Sequence, residues 1–270
     1  MAYDWITDAL EETWASVEAV LRDRTPAEYD APTACPGWSV RDVLSHLLGI
    51  EVWLRGGDVP TLEGPMPEHV KNSMGEFNEA FVDAHRGESG PEVLAQFHAA
   101  TRASLAALRA KSADDWDVVG WSPEGDRPYH RFMETRVLDS WIHLQDIRDA
   151  LLEPADDHGP GEEIVINRFE SSLPYVVGRK MSPPDGTLVR VNLTGRLARS
   201  VTIVVAGGRA SAVSAVSDEP TLEVTTPVAL FWRRSAGRIS AEAFLGASAT
   251  DVRGSRELAR DFAEALAIMI

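Results

Sequence analysis

Residues 134–151 read ETRVLDSWIHLQDIRDAL. Asp139 and His143 stand four residues apart and Asp146 three further on, so in a helix all three emerge from one face. Val137, Leu138, Trp141, Ile142 and Leu144 supply the apolar register around them. A carboxylate and an imidazole one turn apart make half of a divalent-metal site, as in bundles whose cores hold ions. The other half must come from a second helix. The stretch VRDVLSHLLGIE (residues 40–51) offers His46 on a stripe with Leu47 and Ile50. The ordinary alternatives are a buried hydrogen-bonding histidine at 46 and a surface ion pair at 139 and 143.

Working outward, the first half of the chain reads as helices. Ile6, Leu10, Trp14, Val17 and Leu21 recur at helical spacing and predict a helix over Asp4–Arg22. Ser39 with Asp42 three residues on has the form of a capping box that starts the His46 helix, and Gly56-Gly57 stops it. Further helices are expected over Lys71–Ala84 and Glu92–Ala110. The longest should run over Pro128–Leu152, with Asp126 as its N-cap and Pro128 in its first turn. EPADDHGPGEE (residues 153–163) is acidic and rich in Gly and Pro, and reads as a linker.

Beyond it the period changes. After a helix over Glu162–Val177, Leu188–Leu193, Ser200–Val205 and Arg209–Val216 alternate with period two, and Gly207-Gly208 marks a hairpin between the last two. Leu222–Thr225 predicts a fourth strand, with helices about Pro227–Arg234 and Ser255–Ile268. The expected fold class is therefore α+β: a four-helix bundle over residues 1–152, up-and-down or crossover, then a small α+β domain over 164–270.

Composition narrows the function. The chain of 270 residues carries 42 acidic against 26 basic side chains, a net charge of −16, which disfavours a nucleic-acid partner. Cys35 is the single cysteine, so an intrachain disulfide is impossible and a reducing cytoplasm is the expected location. Neither a leader pattern nor an apolar run of membrane-spanning length is seen, so no membrane partner is expected. The chain has no G-x-G-x-x-G, P-loop or G-x-S-x-G motif.

Two stretches carry a resemblance. TACPGWSVRDVLSHLLGIE (residues 33–51) and ETRVLDSWIHLQDIRDAL resemble the two signatures of the mycothiol-dependent maleylpyruvate isomerase family, whose bundles are DinB-like. The C-terminal half, with Ala236-Gly237-Arg238, loosely resembles that family's small domain, which is similar to sterol-carrier folds. The resemblance implies a divalent metal, most often zinc, held by His46, Asp139 and His143 with one coordination position open. It also implies mycothiol as co-substrate and a small electrophile, maleylpyruvate-like, as substrate of an isomerase or S-transferase. The family more often has glutamate where this chain has Asp139. The shorter side chain draws the metal toward its helix, or binds through water and leaves the role to Asp146.

An anionic substrate needs a cation, and the resemblance assigns it to Arg238, with Arg234 as the alternative. The second domain would then cover the open metal position, with the mouth of the site where the domains meet. Cys35 and Trp38 are expected to pack the loop before the His46 helix. A monomer or weak homodimer is expected. The alternatives from other classes are a metal-dependent hydrolase-like enzyme using bound water, and a non-catalytic metal-binding bundle protein.

Overall fold

The computed structural model describes residues 3–62, 64–214 and 218–269. The chain divides into two units, one ending at Ile164 and one starting at Val165. The first consists of α1 (Asp4–Leu21), α2 (Pro26–Tyr29), α3 (Val40–Leu54), α4 (Ser73–His85), α5 (Gly90–Arg109), α6 (Ala113–Asp117) and α7 (Tyr129–Ala150). A two-residue ladder, β1 (Val119–Gly120) with β2 (Arg127–Pro128), precedes α7.

Side-chain pairs fix the bundle's topology. Tyr3, just before α1, stacks on His130 at the start of α7, and Arg24 meets Glu153 beyond the far end of both helices. The two helices are therefore parallel neighbours. Arg109 at the end of α5 reaches Glu11 in the middle of α1, and His98, earlier in α5, reaches Glu18 near the end of α1, so α5 runs against α1. Arg136 pairs with Glu51 and Asp139 with His46, so α7 also runs against α3. The result is an up-down-down-up bundle with crossover connections rather than a simple up-and-down one. Inside it, Trp14 and Val137 are buried with Leu44, Leu47, Phe97 and Ile147. The Trp14 indole donates to Ser140 Oγ at 3.1 Å, which satisfies a polar group that burial would otherwise penalise.

Local chemistry explains the boundaries. The Ser39 hydroxyl accepts from the Asp42 N–H and the Asp42 carboxylate accepts from the Ser39 N–H, the reciprocal cap expected from the residues. Asp126 does not cap α7. Pairing of β1 with β2 carries the chain straight into the helix, Pro128 occupies the cap position, and the Tyr129 N–H donates to Val118 O. The linker is also shorter than expected. Residues 153–158 are irregular, but from Gly159 the chain is already helical, in α8 (Gly159–Tyr175).

The second unit holds β3 (Leu188–Thr194), β4 (Arg199–Ala206), β5 (Arg209–Val213) and β6 (Leu222–Pro227). It continues with α9 (Val228–Ser235), α10 (Ala241–Gly246), β7 (Asp251–Gly254) and α11 (Arg256–Ala265). A π-helical turn, Val176–Met181, follows Pro174 at the end of α8, where the missing proline N–H disturbs the ladder. The sheet order is β5-β4-β3-β6-β7, antiparallel except for the central β3–β6 pair. Val189, Val191, Ile203, Val205, Leu222 and Val224 form its buried face; Arg190 pairs with Glu223, and Asn192 donates to Thr225, on the other. Gly207 and Gly208, with φ of 58° and 70°, make the β4–β5 turn, and Asp185 accepts from both N–H groups. Residues 215 and 216 of the expected third strand lie outside the described residues. β7 had no sequence expectation because four residues, mostly polar, show no alternation to detect.

Truncating Trp14 to alanine removes a fully buried ring and is expected to destabilise the bundle by about 3–5 kcal/mol. Ser140→Ala strands the indole N–H and is expected to cost about 1–3 kcal/mol. Urea unfolding followed by tryptophan fluorescence measures both; equal, negligible effects would contradict this packing.

Candidate metal centre

α3 and α7 run antiparallel with His46 facing Asp139 and His143. His46 Nε2 is 3.4 Å from both Asp139 oxygens, and His143 Nε2 is 3.6 Å from Asp139 Oδ1. The three ligand atoms lie within 4.8 Å of one another. A tetrahedral ion with bonds of about 2.0–2.1 Å separates its ligand atoms by about 3.4 Å. The contacts are thus long for hydrogen bonds and right for ligands that share an ion. The two imidazoles stand edge to face, their ring centroids 4.9 Å apart. The pair at 139 and 143 is no surface ion pair: the His46 and His143 side chains are 3% and 8% exposed, and Asp139 is 21% exposed, the open side of the trio.

The neighbours orient each ligand. Arg136 Nη1 donates to Asp139 Oδ2 at 2.6 Å and Nη2 to Glu51 Oε1 at 2.8 Å, a buried pair that leaves Asp139 Oδ1 facing the two histidines. The clamp also accounts for aspartate here. A short carboxylate with one oxygen tied to its own helix can offer only the other. Asp146 lies on the opposite side of His143, with Oδ2 3.0 Å from Nδ1, and Cys35 Sγ donates to the same oxygen at 3.3 Å. Asp146 is thus turned away from His46 and Asp139.

Charges follow this arrangement. Burial alone would raise the Asp139 carboxyl, but His46 and Arg136 outweigh it and hold the group well below the usual carboxylate range. Burial pushes the His46 imidazole down, with Asp139 opposing, which favours the neutral form a ligand must have. Burial would lower His143 too, yet the Asp146 carboxylate at its Nδ1 prevails and it is pushed up to about 10. Its Nε2 must give up a proton to hold a metal.

Trp38 covers the trio. Its ring centroid is 5.2 Å from that of His46 and 6.2 Å from that of His143, and its indole N–H donates to Glu79 Oε2 at 2.8 Å. Glu79, fully buried, also meets His69 Nε2 at 2.9 Å and Arg86 Nη2 at 2.6 Å. Burial would raise its carboxyl; those partners reverse the effect and hold it below its ordinary value. Gly37, at φ 79°, lies under the His69 ring, where a Cβ would come within 2.3 Å. The loop before α3 is therefore more than core packing.

Three of these residues, Arg136, Glu51 and Glu79, are not among those expected from the sequence. Arg136 carried a signal, since it precedes Asp139 by three on the same stripe. Glu51 and Glu79 carried none among so many acids. The remaining histidines meet carboxylates of their own: His85 with Glu88, His98 with Glu18, His130 with Asp117 and His158 with Asp156.

The sequence model of the family described as "Mycothiol maleylpyruvate isomerase N-terminal domain" matches residues 10–148, just over half the chain. The chain belongs to this family. Among solved structures, the crystal structure of the mycothiol-dependent maleylpyruvate isomerase aligns with a TM-score of 0.54 at 14% identity, covering 88% of this chain and 90% of that one. A histidine-to-alanine mutant of the same enzyme gives a TM-score of 0.55 at the same identity and coverage. At such identity the likeness establishes a shared fold, with a helical N-terminal region and a sheet-containing C-terminal one. No curated protein sequence matches the chain significantly. Among the described residues, no helix is long and apolar enough to cross a membrane. For this mycothiol maleylpyruvate isomerase family member, the residues present fit a divalent ion by donor type and by spacing.

The Glu79 network yields a pH prediction. A depressed carboxylate contributes stability that is complete above its unfolded value, near 4.5, and is lost as pH falls through its folded value. Glu79→Gln is expected to lower stability at pH 7 and to flatten the acid side of the stability profile below about pH 5. Thermal unfolding from pH 3 to 8 checks it; parallel profiles for the two proteins would exclude the effect.

Proposed function

We propose that the protein is a metal- and mycothiol-dependent enzyme, an isomerase or S-transferase that directs a thiol onto a small electrophile of the maleylpyruvate type. The observation that carries this reading is the convergence of the His46, Asp139 and His143 ligand atoms within 4.8 Å of one another, in a chain of this family. These three residues would hold the ion, most suitably zinc given two imidazoles and one carboxylate. Bound there, a divalent metal supplies Lewis acidity that draws the pKa of a coordinated thiol toward neutrality. Asp139 and the Asp146 carboxylate behind His143 together offset the charge of a dication, and Arg136 with Glu51 adds none.

The chain's other residues prepare the site. Arg136 keeps Asp139 to one oxygen, and Trp38, anchored by Glu79, shields the His46 side from water. For the substrate carboxylate, Arg238 is the arginine that the family resemblance assigns. Arg234 spends its guanidinium on main chain, donating to the carbonyls of Ala263, Ile239 and Glu264, and is a structural tie. Arg238 is half-buried, and its Nη1 donates to Ala236 O at 2.9 Å.

Protein purified without chelator is expected to contain about one divalent ion per chain by elemental analysis, and His143→Ala to lose it. A screen of activated alkenes and epoxides with mycothiol, with glutathione and without thiol should give turnover with mycothiol alone. A metal-free wild type, or turnover that ignores the thiol, overturns the proposal. With a substrate in hand, Arg238→Ala should lower kcat/KM by about 100-fold, as loss of a charge-assisted bidentate contact does, with metal content unchanged. Arg234→Ala should instead lower the melting temperature.

A further inference from the structure

Two sets of ligand-type side chains share His143. His46 and Asp139 lie on its Nε2 side, and Cys35 and Asp146 on its Nδ1 side. A neutral imidazole has one lone pair and one N–H, so it cannot serve both sets as a ligand. Distances separate them. On the Nε2 side the carboxylate is 3.6 Å away, too far for a good hydrogen bond. On the Nδ1 side Asp146 Oδ2 is 3.0 Å away, and Cys35 Sγ is 3.3 Å from that oxygen and 3.8 Å from Nδ1. In this arrangement Cys35 Sγ is a donor and Asp146 Oδ2 its acceptor.

From this geometry we infer that Cys35 and Asp146 are positioning residues for His143. The Cys35 S–H and the His143 Nδ1–H both donate to Asp146 Oδ2, which orients the ring so that only Nε2 faces the metal position. The inference rests on the metal-site reading above and extends it to two residues that touch neither metal nor substrate.

The local structure holds the relay rigidly. Asp146 follows His143 by three residues on α7 and is 1% exposed, so backbone and packing set its place. Cys35, 9% exposed, sits in a loop closed on itself: Trp38 N–H donates to Cys35 O, Thr33 N–H and Oγ1 donate to Trp38 O, and Cys35 N–H donates to Thr33 Oγ1. One short segment therefore carries both the thiol at the back of His143 and the indole over its front. A carboxylate on the distal nitrogen of a ligating histidine fixes its tautomer and strengthens it as a donor.

The test uses the full chain and cobalt(II) as a spectroscopic ion. Asp146→Asn should weaken cobalt binding about 10–100-fold in a competition titration. Cys35→Ala should weaken it a few-fold, and Cys35→Ser, which keeps a donor, should restore it. The wild-type cobalt spectrum should lack a thiolate-to-metal charge-transfer band. A charge-transfer band that disappears in Cys35→Ala would make Cys35 a ligand and overturn the inference, as would wild-type affinity in Asp146→Asn. A second readout needs no metal: the metal-free protein should show an exchange-protected His143 Nδ1–H resonance in proton–nitrogen spectra that Asp146→Asn shifts upfield. If wild type binds no cobalt, the proposed function fails, while this resonance and its response to Asp146→Asn still decide the relay.

Discussion

Asp139 has two oxygens and three demands on them. Arg136 takes one at 2.6 Å, and the other faces two imidazoles at 3.4 and 3.6 Å. A carboxylate this deep in a bundle is tolerated only because cations or donors surround it, and removing them would leave an uncompensated buried charge. Much of the bundle's middle layer follows from that need. Glu51 is required to balance Arg136, and its placement on α3 ties that helix to α7 in an antiparallel pair. His46 belongs to the same pairing, because it too meets α7, against Asp139.

The loop before α3 is organised around the same centre. Ser39 caps α3 and sets the direction in which the loop leaves the helix. Within that loop Cys35 reaches Asp146 behind His143, and Trp38 reaches over His46 to be anchored by Glu79. Glu79 belongs to α4 and its partner His69 to the segment before it, so the cover over the site is built from three parts of the chain. Gly37 is the point where they meet, since any side chain there would collide with the His69 ring. A glycine in so tight a place trades conformational freedom for close approach.

Family membership and geometry support each other without duplicating each other. The family match covers the bundle and says what kind of chemistry its relatives perform. The ligand spacing arises from atoms in this chain and would suggest a metal in a protein of any family. Asp139 is consistent with both, because Arg136 already occupies one of its oxygens.

The helical half was legible in the sequence because amphipathic periodicity, prolines and a capping box are local signals, and a buried helix face must be apolar wherever it packs. The period-two strands were legible for the same reason, as was the trio: one turn of helix puts Asp139 and His143 on one side, and family likeness selects His46. Short elements such as β7 and the ladder before α7 escaped, since two to four residues hold too little periodicity to detect. Only the tertiary structure decided that α1 and α7 run parallel, because crossover and simple up-and-down bundles bury the same stripes. It alone turned Asp146 to the back of His143, brought Cys35 beside it, and singled out Glu51 and Glu79 among 42 acids. An acid looks the same in a sequence whether it is solvated or buried. What distinguishes the two is the partner that folding brings from more than thirty positions away, as Arg136 meets Glu51 and Trp38 meets Glu79.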